Sequence, residues 1–93
     1  MSSSAIVKMP KRLDYSSSKD FDVAFGAALA PGVHTISLDC TAVEVIDSSG
    51  MGLLILAYKK AKQEQVNVVA VNIPTAIREV LLVANLQKII ELN

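Results

Sequence analysis

The segment Val66-Asn67-Val68-Val69-Ala70-Val71-Asn72-Ile73 limits the fold more than any other part of the chain. Its apolar run, interrupted only by asparagines, is the pattern of a strand in a parallel sheet buried on both faces. Parallel neighbours cannot be joined by a tight hairpin, so helical crossovers are expected on either side of it. Upstream, Asp47-Ser48-Ser49-Gly50 supplies cap chemistry for a helix running to about Gln65, with Met51, Leu54, Ile55, Tyr58 and Ala61 as one apolar stripe. Leu53, Leu56 and Ala57 widen that surface, while Lys59, Lys60, Lys62 and Glu64 mark the wet side. Downstream, Pro74 suits the first turn of another helix, whose buried stripe is Ile77, Val80, Leu81 and Ala84 and whose left-handed stop is Asn85.

The same reading extends outward in both directions. Thr35 to Cys40 alternates and carries β-branched residues, as a strand does, and a short connection, Val43 to Ile46, links it to the cap. Before it, Ser16-Ser17-Ser18 precedes Phe21, Ala24, Phe25, Ala28 and Leu29, spaced as the face of an amphipathic helix that Pro31-Gly32 closes. Ala5 to Leu13 contains Pro10 and reads as an edge strand or irregular extended segment. Lys88 to Leu92 reads as a closing strand. Strand and helix therefore alternate, which predicts an α/β fold with a small, mostly parallel sheet of about four strands and helices packed on it.

Ninety-three residues suffice for one such domain, spanning 1–93, and not for two. Nine basic residues balance nine acidic ones, so no strong field attracts a nucleic-acid backbone or an anionic membrane, and neither is expected as a direct partner. A single cysteine, Cys40, excludes an intrachain disulfide, and with His34 as the only histidine a Cys/His metal site within one subunit is not available. The first ten residues lack the apolar core of a secretory signal, and Met51 to Tyr58, the longest apolar stretch, falls well short of the roughly 20 residues that span a bilayer. A soluble, cytoplasmic protein with no cofactor is the expectation.

The residues from Leu38-Asp39 through Val45-Ile46-Asp47-Ser48-Ser49-Gly50-Met51-Gly52-Leu53-Leu54 resemble the characteristic segment of STAS domains, the fold of bacterial anti-sigma factor antagonists. The likeness continues in Leu13-Asp14 before the first helix, in the strand at Val66 to Ile73, and in Asn85-Leu86 before an Ile-rich close. It implies a binding protein, not an enzyme. In that family the first serine after the aspartate is phosphorylated by a serine kinase that doubles as an anti-sigma factor; the matching position is Ser48. The resemblance further implies that the unphosphorylated form binds this partner, that a PP2C-type phosphatase reverses the modification, and that Asp14, Asp47, Ser49, Gly50 and Met51 lie in the partner-binding surface. Gly50 and Gly52, lacking side chains, would let a partner backbone approach.

The chain departs from the family pattern at both flanks. An N-terminal strand hairpin is shortened to room for about one strand, with Lys11-Arg12 standing before Leu13-Asp14, and a C-terminal helix has no counterpart before Asn93. The sheet flank left exposed favours homodimerisation or strand exchange. Other chemistries fit less well: no Gly-x-Ser-x-Gly elbow surrounds a serine, and no glycine-rich lysine loop is present. Asp-Ser-Ser-Gly is also ordinary helix-start chemistry, Asp14 also a turn residue, and Ser49 a capping hydroxyl before it is a second phosphosite. Two further readings remain open at the level of sequence. One is a STAS subunit docked on the ATPase of an ABC transporter; the other is a phosphoswitch with an output other than a sigma factor.

Overall fold

The computed structural model describes residues 3–93. A four-stranded sheet runs in the order β1 (Ser3–Lys8), β3 (Val33–Asp39), β5 (Asn67–Val71), β6 (Glu91–Leu92), and every neighbouring pair is parallel. The crossovers are α1 (Ser18–Ala28), α2 (Ser48–Gln63) and α3 (Thr75–Val83). Each crossover steps one place in the same direction across the sheet, and right-handed connections made that way put all the helices on one face. That face carries Ala5, Val7, Ile36, Leu38, Val68, Ala70 and Leu92, which join Phe21, Phe25, Leu54, Ala57, Ala61, Ile77 and Leu81 in a single core.

The opposite face has no helix on it among the described residues. Val69 and Val71 are half-buried there by their strand neighbours, beside Ser37 and the exposed Ile6 and Glu91. The expectation that Val66 to Ile73 is buried on both sides is thus corrected. Its register alternates, with only Val68 and Ala70 facing the core, because the helices wind in one direction only.

Local chemistry explains most boundaries. Asp47 and Pro74 stand at the N-caps of α2 and α3, Pro74 thus sitting one residue earlier than the first helical turn, and Asn85 takes up the left-handed conformation (φ 61°) at the stop. Gly32, at φ 88°, turns the chain from α1 into β3. Helix α2 ends at Gln63, where Gln65 turns left-handed (φ 58°). Its buried line is Gly50, Leu53, Leu54, Ala57 and Ala61, so the face is rotated from the expected stripe; Met51, Ile55 and Tyr58 are half-buried and Leu56 is exposed. Ala24 also lies in solvent, although it shares the spacing of Phe21 and Phe25. The closing strand is shorter than the apolar run that announced it, because Leu86–Lys88 forms a 3-10 turn first.

A second, two-stranded sheet escaped the sequence reading. Between Ser3 and Leu13 the chain forms two strands, β1 and then β2 (Arg12–Leu13), where room for about one was expected. The connection after β3 contains β4 (Val45–Ile46), which pairs with β2 in parallel, Leu13 against Ile46. This small sheet lies directly before the start of α2, where Ser48 stands.

Candidate helix-start docking site

Ser48 opens helix α2 directly after strand β4. Asp47, in extended conformation, accepts a hydrogen bond on Oδ1 from the Gly50 amide at 2.9 Å, and its carbonyl accepts from Met51 N at 2.9 Å, the first intrahelical bond. The amides of Ser48 and Ser49 have no protein partner among the described residues, as the start of a helix requires. Both serine side chains and Asp47 are exposed. Ser48 Oγ therefore sits on a fixed backbone, in solvent, at the positive end of the helix dipole.

Gly50 is placed differently from expectation. It is buried, and a Cβ built on it would lie 1.8 Å from the carbonyl oxygen of Leu13. The missing side chain lets α2 close on β2 of its own chain and does not open a path for a partner backbone. A Cβ built on Gly52, by contrast, has nothing within 4 Å.

Asp14 follows Leu13 as Asp47 follows Ile46, so the parallel register sets two acidic caps beside one another at the carboxyl ends of β2 and β4. Asp14 starts the 3-10 turn Tyr15–Ser17 that leads into α1. Its carboxylate accepts from Ser16 N at 3.0 Å and from the Ser16 hydroxyl, its amide donates to Ser17 Oγ at 3.2 Å, and Arg12 Nε lies 3.3 Å away. The Ser16 hydroxyl, more than the Arg12 charge, holds the Asp14 carboxyl below its ordinary value. The structure thus brings Asp14, Asp47, Ser48, Ser49 and Met51 to one end of the domain, and turns Gly50 inward.

Asp39, at the carboxyl end of β3, is held down similarly: its Oδ1 accepts from the Thr41 hydroxyl at 2.6 Å, from Thr41 N at 3.1 Å and from Asn72 Nδ2 at 3.3 Å. A carboxylate whose folded pKa lies below its unfolded one contributes stability above the unfolded value and loses it as pH falls through the folded one. Melting curves should therefore fall less steeply below about pH 4 in an Asp14→Asn/Asp39→Asn variant than in the wild type. Parallel curves would contradict the assignment of these hydrogen bonds to the ionised forms.

One component was missed. Met51 and the outer side of α3, Ala76, Glu79, Val80, Val83 and Ala84, line a shallow apolar groove of about 320 Å³ next to the helix start. The expected stripe of α3 is buried only at Ile77 and Leu81; Val80 is left at the surface and Val83 is 85% exposed. The surplus of apolar residues on α3 was the available signal. A larger recess of about 760 Å³, with Thr35, Tyr58, Lys62 and Asn67 in its wall, lies at the other end of α2, a helix length of roughly 24 Å from Ser48. Cys40 is buried, which pushes its thiol up to about 11 and leaves it a packing residue. Among the described residues no group of His, Cys, Asp and Glu side chains is gathered to hold a metal, and no helix is long and apolar enough to cross a membrane.

Comparison with known proteins gives the same picture of the fold. The STAS domain profile matches residues 2–93. The anti-sigma factor antagonist SpoIIAA in its unphosphorylated form superposes with a TM-score of 0.76 at 17% identity, over 98% of this chain and 80% of its own. The phosphorylated form of SpoIIAA, the Bacillus cell fate determinant, gives 0.67 at 18% identity, over 95% of this chain and 80% of its own. A sulfate transporter family protein from Wolinella succinogenes gives 0.80 at 12% identity, over 91% and 69% respectively. No curated protein sequence matches significantly.

Proposed function

The chain belongs to the STAS domain family, and from that premise we propose that it is an anti-sigma factor antagonist: a non-catalytic switch that binds an anti-sigma factor with serine kinase activity and is released by phosphorylation of Ser48. The observation that carries this reading is the exposed Ser48 hydroxyl on the first turn of a helix whose backbone is fixed by the Asp47 cap and the Gly50–Leu13 contact. Phosphate on Ser48 would face two unpaired amides and the helix dipole, a setting worth about 0.3–1 kcal/mol to an anion. The modification therefore leaves the fold in place.

What it changes is the surface. A phosphoserine brings roughly −1.5 to −2 charges to a spot already bordered by the acidic caps Asp47 and Asp14. Bulk and like charge then stand where a partner docks against the serines and the Met51–Val80–Val83 groove. The Gly50 amide is already taken by Asp47, so the phosphate stays outward. That SpoIIAA has this fold in both its unphosphorylated and its phosphorylated forms supports a switch that works by docking and not by unfolding. A PP2C-type phosphatase resets it in this reading, and the compartment is the cytoplasm.

A second reading has its own support in the likeness to a sulfate transporter family protein. There the same end of the domain docks permanently on a transport assembly, such as the ATPase of an ABC transporter, and Ser48 is structural. Affinity capture from the source cell with wild type, Ser48→Ala and Ser48→Asp separates the two. The switch predicts a serine kinase captured by the wild type and Ser48→Ala and lost with Ser48→Asp, together with phosphate incorporation that disappears in Ser48→Ala. A transport ATPase captured equally by all three would favour the second reading, and identical partner sets of any kind would remove the switch.

A further inference from the structure

Strand β1 lies at the margin of the four-stranded sheet, bonded along its inner side to β3 and to nothing on its outer side among the described residues. The Met9 amide bonds Asp39 O at 2.9 Å, which fixes the alternation of the ladder. In a parallel pair every second residue turns both backbone groups to the neighbour, so Ala5 and Val7 share the inward set with Met9. Ser4, Ile6 and Lys8 then hold their N–H and C=O groups outward, a three-residue row of unpaired donors and acceptors.

We propose that this row pairs antiparallel with the same row of a second copy of the chain, Ile6 facing Ile6 across a two-fold axis. In that register Ser4 falls opposite Lys8 and Lys8 opposite Ser4, so each outward residue meets an outward residue as a doubly hydrogen-bonded pair. Ile6, 69% exposed on the helix-free face, gains its own counterpart as a neighbour. On the helix face Val7 stands against Ala5 of the other copy and continues the apolar layer.

Charge favours a second copy as the occupant. Lys8 is the only charged residue of β1, and the register sets it against a serine and away from its own equivalent. The chain carries nine basic and nine acidic residues, so two copies do not repel at long range. Lys8, at its last position, is the only defence the edge carries, since Pro10 arrives only after the strand's end and no charge interrupts Ser3 to Val7. The row lies on β1, whose sheet neighbour among the described residues is β3, and includes none of the residues gathered around Ser48.

The test reads mass and register together. Light scattering across a concentration series should show the wild type moving from the chain mass towards twice that mass. Ile6→Lys, which puts two ammonium groups on the axis, should stay monomeric with unchanged far-UV circular dichroism. Facing residues of such a pair have Cα atoms about 5.5 Å apart, inside the range of a disulfide. Ile6→Cys should therefore oxidise to a covalent dimer, while Val23→Cys, exposed on α1, should not. A wild type that stays monomeric throughout, an Ile6→Lys variant that dimerises as well as the wild type, or equal cross-linking at both cysteines would overturn the proposal.

Discussion

Replacing Gly50 with alanine is expected to destabilise the domain by about 3 kcal/mol, the upper part of the usual range for forcing atoms into a packed site. The sign is unusual. A glycine inside a helix ordinarily costs roughly 1 kcal/mol relative to alanine, so the generic expectation is a gain. Here the new methyl would stand 1.8 Å from Leu13 O and 2.7 Å from its carbonyl carbon, and these are backbone atoms tied into the β2–β4 ladder that cannot swing aside. At roughly 4–8 °C per kcal/mol for a domain of this size, the melting temperature should drop by about 12–24 °C. Gly52, two residues further along the helix with nothing within 4 Å of its Cβ position, is the internal control. Gly52→Ala should raise the melting temperature by about 4–8 °C. If both variants melt above the wild type, the close approach of α2 to β2 is wrong.

Leu13→Ala should cost a similar amount, about 2–5 kcal/mol, because its side chain is 1% exposed within the core. Set against a total of roughly 5–14 kcal/mol for a chain of this length, either change removes a large share of the stability. The pair together is the sharper case. Shortening Leu13 removes a side-chain atom 3.1 Å from the Gly50 Cβ position but leaves the carbonyl where it was. The truncation relieves only this smaller part of the clash, so the double variant should lose nearly the sum of the two effects and be largely unfolded at room temperature by circular dichroism. A double variant more stable than Gly50→Ala alone would locate the obstacle in the side chain. Leu13 precedes Asp14 and Gly50 lies in the turn that Ser48 opens, so either change also disturbs the proposed docking end.

How far these features could be read from the chain depends on the distance over which each is determined. Asp47, Pro74 and Asn85 act within a few residues of themselves, and all three helix boundaries they mark were legible. The parallel α/β class followed from whole segments. What a stripe packs against is not local. Val69 and Val71 look like core from composition, yet face away from it, because the winding direction of three crossovers decides which side of a strand is covered. Helix α2 turned its face from Met51 towards Leu53, on the side where Gly50 closes on Leu13.

Strands β2 and β4 are two residues each, too short for any periodicity, and their pairing joins positions more than thirty apart in the chain. With that pairing invisible, the inward role of Gly50 and the side-by-side placement of Asp14 and Asp47 were invisible as well. Ser48 was legible as a position. Its surroundings, two acidic caps and the Met51–Val83 groove, came from the fold.

The central claim is that phosphate on Ser48 alters docking and not folding. The direct measurement is a titration of the captured kinase partner against unmodified and Ser48-phosphorylated protein, with the melting temperature of each recorded alongside. The prediction is an affinity at least 100-fold lower for the phosphorylated form, about 2.7 kcal/mol, at a nearly unchanged melting temperature. Equal affinities for the two forms, or a loss of binding that tracks a loss of folded structure, would contradict it.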